Sequence, residues 1–136
     1  LPPSSAASDV YKRQVSVALG DQLAGLFSNN DEISNQLIQA GKEVNEEVWR
    51  LPCDPIGERY DKYVDSTIAD MHNVGKGYEA SSTTAAQFLQ RFVNDVPWAH
   101  LDIAGVTWND KGSMTAKGGA TGWGVKLLNK WIDNNG

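Results

Sequence analysis

Cysteine is almost absent from this chain: Cys53 is the single thiol in 136 residues. One cysteine forms no internal disulfide, so the fold must rest on packing and hydrogen bonds, as in chains from a reducing compartment, and a cytoplasmic location is expected. Cys53 lies between Pro52 and Pro55 with no basic neighbour to lower its pKa, so it is a poor nucleophile. Histidine is scarce too, with only His72 and His100, too few for a metal cluster of their own. Basic residues number 12 against 17 acidic ones, a net charge of -5, which disfavours nucleic acid and anionic membrane as partners. No apolar run approaches the roughly 20 residues of a membrane span. At 40% hydrophobic and 21% charged residues, the chain has the composition of one soluble globular domain.

The first residues differ in character from the rest. SSAASDVYKRQ, residues 4–14, places its Lys-Arg pair after small polar residues, the reverse of a secretory signal. Two readings remain for residues 1–14: a disordered leader, or a non-native stretch, since its codons can spell a transposase adapter used in DNA sequencing libraries. Residues 15–136 are then the folded unit.

Along that unit, VSVALG and AGLFSNN read as two short strands around Gly20-Asp21. Asn29, with Glu32 three residues on, is placed to cap a helix that carries Ile33, Leu37 and Ile38 and ends at Gly41. EEVWRLP reads as extended before Pro52 and Pro55 stop it. Helical spacing continues in GERYDKYVDSTIADMHN. It is clearest in STTAAQFLQRFVND, where Ser82 or Thr83 would cap and Phe88, Leu89, Phe92 and Val93 would be buried. WAHLDIAG alternates as a strand, with Ala99, Leu101 and Ile103 on one face and Trp98, His100 and Asp102 on the other. A last helix from about Gly122, capped by Thr121, presents Val125, Leu128 and Ile132 on one side. Strands interleaved with long helices indicate an α/β layer architecture.

Candidate chemistry is sparse. His100 and Asp102 share a strand face roughly 7 Å apart, a spacing that suits either an oriented base or a satisfied buried pair; the second reading is favoured. His72 falls at a Gly-rich turn. Asp65 and Asp70, five apart, do not share a helical face. KGGATG, residues 117–122, leads into a helix as an anion loop can, but lacks the phosphate-loop pattern and reads as a tight chain reversal. Trp49, Trp98, Trp108, Trp123 and Trp131 have no common period and read mainly as packing. No complete catalytic constellation emerges from these residues.

A likeness adds to that reading. VALG, AGLFSNN, EEVWRLP, IADMHNVG, TTAAQFLQRFV, PWAHLDIAGV and KGGATGWGVKLL, in this order, resemble the C-terminal part of the leucyl aminopeptidase family. The resemblance covers Val15 to about Ile132. It implies a partial layered α/β/α catalytic domain with a mixed sheet, truncated at its N-terminal side. It further implies an exopeptidase that removes N-terminal residues, often leucine, from peptide substrates through two bridged divalent metal ions, zinc or manganese, within a homo-hexamer. Family members carry their metal ligands, a lysine and several carboxylates including those of an NTDAEGR motif, ahead of the matched blocks, so this chain is expected to lack them and to be inactive alone. By motif, Val74 falls on the leaving-group side of the family's cleft, and Ala104 and Thr107 fall in the pocket for the N-terminal side chain. The family often has an apolar residue in place of Thr107, and an asparagine in place of His72. A stand-alone peptide- or protein-binding module on the same fold is the alternative expectation.

Overall fold

The computed structural model describes residues 14–71, 80–111 and 118–136. Its elements run α1 (Gln14–Leu19), β1 (Ala24–Ser28), α2 (Asp31–Val44), β2 (Val48–Arg50), a single 3-10 turn (Asp61–Tyr63), α3 (Ser81–Gln90), β3 (Ala99–Asp102), β4 (Trp108–Asn109), β5 (Gly119–Ala120) and α4 (Val125–Asn135). Val74 and His72 lie outside the described residues, as do all but the last residue of the 1–14 leader.

β1 is the middle strand of a mixed sheet of order β2-β1-β3. It pairs parallel with β2, Ala24 opposite Val48, and antiparallel with β3, Leu26 opposite Leu101. All five β1 residues are buried, as a strand covered on both faces requires. Ala24 and Leu26 point into a core with Leu37, Ala40, Val48, Val106 and Leu127, which brings α2 and α4 onto this face. Ala99, Leu101 and Ile103 pack against the same core, so the alternation read in WAHLDIAG holds. On the opposite face Gly25 meets Val15 of α1, and α3 lies against α1 and the 3-10 turn. Three layers result, α1 with α3, the sheet, and α2 with α4, in the α/β/α arrangement that the resemblance implies.

Several local expectations are corrected. VSVALG is a helix, not a strand: Val15 is buried while Val17 is 85% exposed, so the two valines diverge around a helical turn, and Val15 gains its burial from β1. The cap of α2 is Asn30, whose side-chain oxygen accepts from the Ile33 N–H at 2.9 Å. Asn29 instead bridges to the approach to β3, donating to Val96 O and accepting from Trp98 N. Nor does Gly41 end α2, which continues to Val44 and closes on Asn45 in the left-handed region at φ 57°. Gly41 is required for another reason: a Cβ there would stand 2.6 Å from the carbonyl oxygen of Glu46.

Over its described residues, 57–71, the segment GERYDKYVDSTIADMHN forms only the 3-10 turn, and its Asp61 and Asp65 bond to Arg91 at the end of α3. In α3 the buried positions include Thr83, Ala86, Gln87 and Gln90, at helical spacing but largely polar. Leu89 and Phe92, expected in the core, are 39% and 62% exposed, Phe88 and Val93 are half-buried, and Ala80, not Ser82 or Thr83, precedes the helix without a side-chain cap. In α4 the inward residues are Leu127 with Trp131, while Val125, Leu128 and Ile132 are exposed. The helix follows Gly124, not Thr121, and its orientation is set from outside: the buried Glu46 carboxylate accepts from Gly124 N at 3.0 Å and Leu127 N at 2.9 Å. A carboxylate there satisfies two orphan donors and complements the helix dipole.

Glu46→Ala is expected to destabilise the fold by about 2–3 kcal/mol, since buried N–H groups lose a charged acceptor. Glu46→Gln, which keeps an acceptor but not the charge, should fall between, as measured by urea unfolding.

Candidate functional site

The turn that follows β3 is where most of the resemblance-assigned residues lie, and the chain holds it at several points. Asp102 Oδ1 accepts from Ala104 N at 3.2 Å, and Val106 N donates back to Ile103 O at 3.0 Å. Gly105 is pressed so closely on the end of α1 that a Cβ would come 2.3 Å from the Gly20 carbonyl oxygen. Thr121 closes the far side: its hydroxyl donates to Val106 O at 2.7 Å and its N–H to Thr107 O at 2.9 Å. Beyond it, β4 and β5 pair antiparallel, Trp108 opposite Ala120. Ala104 and Thr107, both half-buried, therefore share one clamped turn.

His100 and Asp102 are not coupled as a base and its orienter. The His100 ring stacks on Trp98, centroids 6.2 Å apart, and lies 6.0 Å from Phe27, while Asp102 serves the Ala104 N–H. Burial pushes the His100 pKa below its ordinary value, against the opposing pull of the Asp102 charge. Packing and turn capping account for the pair.

Cys53 is a thiol by environment. Its Sγ donates to Gln87 Oε1 and Gln90 Oε1, and burial, with the Asp54 charge, pushes its pKa up to about 11. A group so protonated at neutral pH is no nucleophile. Asp65 is held by Arg91 and makes no acid–base pair with Asp70. Of KGGATG, Gly118 to Gly122 are described, and they form β5 and its turn, with Gly118 against the Asp110 carbonyl; this is the chain reversal read from the sequence. Trp123 and Trp131 pack on the core, while Trp49 and Trp108 are exposed.

One constellation has no periodic signature in the sequence. The Gln87 side chain accepts from Asp54 N at 3.0 Å and donates to Asp54 O at 3.1 Å. Arg91 reaches Asp61 at 2.6 Å and also binds Asp65. Burial works against a charged Asp61, but Arg91 and the Gly57 N–H outweigh it and hold the pKa below the usual carboxylate range. Arg59 pairs with Asp54 at 2.7 Å. The Gln87 and Arg91 bonds fasten the loop after β2 onto α3 and its end; only Gln87, Gln90 and Arg91 beside Phe88, Leu89 and Phe92 hint at them beforehand.

An open cleft of about 460 Å³ lies between the α1–β1 connection and the β4–β5 ribbon, lined by Asp21, Asn45, Val106, Trp108 and Trp123 among others. Neither Ala104 nor Thr107 lines it. Among the described residues no three His, Cys, Asp or Glu side chains converge where they could hold a metal ion.

Residues 12–129 match the family model described as "Cytosol aminopeptidase family, catalytic domain". A "Probable cytosol aminopeptidase" of Ehrlichia ruminantium (strain Gardel) is 62% identical over 120 residues, covering 87% of this chain and 23% of the relative. One of Wolbachia pipientis wMel is 56% identical over 119 residues, covering 86% and 23%. Among solved structures, a tomato leucine aminopeptidase mutant superposes with a TM-score of 0.77 at 37% identity, covering 89% of this chain and 22% of that one. The chain spans about a quarter of the length of these relatives.

Because the folded pKa of His100 lies below its ordinary value of 6.5, the unfolded chain binds the proton more readily. The contribution is complete above about pH 6.5 and is lost as the pH falls from there through the folded value. The melting temperature should drop across that window, and His100→Phe should flatten the drop, as read by circular dichroism at several pH values.

Proposed function

Since the chain belongs to the cytosol aminopeptidase family, we propose that it forms the C-terminal part of the catalytic domain of a metal-dependent exopeptidase that releases N-terminal residues from peptides. The family-model match across residues 12–129 carries this reading. The metal ligands, zinc or manganese being the ions concerned, come on this reading from chain that the longer relatives possess, and the 136 residues alone are inactive. Val74, Ala104 and Thr107 wall the substrate cleft. For the latter two, support comes from the clamped turn, since a pocket wall selects side chains only when its own backbone is held. Thr107 makes the pocket less apolar than a leucine or methionine there would. A homo-hexameric assembly and a cytoplasmic location belong to the same proposal.

The test is a chimaera in which residues 15–136 replace the matching stretch of the Ehrlichia ruminantium relative. It should cleave leucyl-4-nitroanilide, lose that activity to a chelator and regain it with zinc or manganese, and elute at the size of a hexamer. The isolated chain should cleave nothing. Thr107→Leu in the chimaera should raise kcat/KM for leucyl over alanyl substrates by about tenfold, the scale on which an apolar pocket discriminates a few methylenes. A folded chimaera that releases no N-terminal residue from any peptide overturns the reading.

A further inference from the structure

The geometry points to Thr121, which lines the open cleft beside Val106, as a positioning residue for the pocket wall, setting side-chain selectivity through the backbone of Val106 and Thr107. This rests on the aminopeptidase reading above. Thr121 lies 14 residues beyond Thr107, yet both of its hydrogen-bonding ends converge on that turn. Its Oγ1 donates to Val106 O at 2.7 Å and accepts from Trp123 N at 3.2 Å, and its own N–H donates to Thr107 O at 2.9 Å. The hydroxyl is thus used in both directions, as donor to the turn and as acceptor from the entry to α4.

What the hydroxyl joins is mechanically fixed at both ends. Val106 is buried in the apolar core, 6% exposed, and Trp123 packs against the same core. α4, which begins two residues later, is anchored by Glu46. On its other flank the turn cannot retreat, because Gly105 already lies on the Gly20 carbonyl. Thr107 carries the side chain assigned to the pocket, so its position depends on the one flank that is neither packed solid nor covalently short. That flank is held by Thr121. Serine reproduces its donor and acceptor. Valine reproduces its shape and its backbone N–H but supplies neither.

Thr121→Val and Thr121→Ser are compared in the chimaera on leucyl- and alanyl-4-nitroanilide, with thermal melting and amide hydrogen exchange measured on the same samples. Thr121→Val is expected to lower kcat/KM for the leucyl substrate by about tenfold, the scale of a sub-ångström misplacement. The alanyl rate should change less, so the leucyl-to-alanyl ratio falls. Exchange at Val106 and Thr107 should speed up, and Thr121→Ser should restore both ratio and exchange. The inference is overturned if valine and serine behave alike. It is equally overturned if leucyl and alanyl rates fall by one common factor in step with the melting temperature, which is the signature of lost folding. A parent chimaera without peptidase activity counts against the aminopeptidase reading alone; the exchange comparison then still decides whether Thr121 holds the turn.

Discussion

The buried carboxylate of Glu46 ties together parts of the chain that would otherwise be independent. It sits in the connection between α2 and β2 and accepts two backbone N–H groups at the start of α4, roughly eighty residues later in sequence. A helix whose first turn lacks a cap of its own has orphan donors that cost free energy when buried, and α4 follows a glycine that offers no side chain. Glu46 supplies the missing acceptor and, with it, the direction in which α4 lies. That direction turns Leu127 inward against α2 and the sheet. The close approach also explains the glycine at position 41, which leaves room for the Glu46 carbonyl. One side chain therefore settles the helix layer beneath the sheet and, through α4, the far anchor of the turn that bears Thr107.

The two faces of the sheet are stabilised by different physics. On the α2 and α4 side, aliphatic residues from β1, β2, α2 and α4 form one apolar cluster, and non-directional burial does most of the work. On the α1 and α3 side, Val15 and Phe27 contribute apolar burial, but the loop after β2 is held by directional bonds from Gln87 and Arg91. Buried amides and ion pairs are worth having only when fully partnered. Here Gln87 matches a donor and an acceptor of one residue, Asp54, and Asp61 has both Arg91 and the Gly57 N–H. Breaking one member would leave another buried without a partner, which gives the loop a single geometry in place of several.

Where the sequence was legible, the reason is local. The helix α2 is legible from the Asn-Asp-Glu cluster at its start and the Ile33, Leu37 and Ile38 spacing, although the cap falls one residue later than read, on Asn30, and the alternation through Ala99, Leu101 and Ile103 assigns the faces of β3 because a strand has only two. The AGLFS run is apolar enough to declare a strand buried on both sides. Where it was not legible, a distant partner decided the outcome. VSVALG has the composition of a strand, yet Val15 finds its contact on Gly25, and helix is the conformation that delivers it. The face of α3 is chosen by Asp54 and Asp61, which periodicity cannot register, and the start of α4 by Glu46. The clamped turn was partly visible: the likeness of WAHLDIAGV to a known family located Ala104 and Thr107, whereas Thr121 reads in the sequence as a helix cap and its hold on the turn is found only through the bonds it makes.

The helix faces that disagree with the pattern have something in common. Leu89 and Phe92 on the α3 side, and Val125, Leu128 and Ile132 on α4, are spaced as residues of a core and stand partly or largely exposed. Isolated exposed apolar residues are ordinary, but runs at helical spacing on two outer helices are not. Such spacing costs solubility and brings no benefit to a helix that keeps the face in water. Among the described residues these stripes stay partly or largely exposed. The relatives are about four times as long as the stretch they share with this chain, so in them further chain exists to cover such surfaces. Hydrophobic periodicity therefore reads the face of a helix that is apolar, while whether that face is buried depends on what packs against it, which spacing along one segment does not encode.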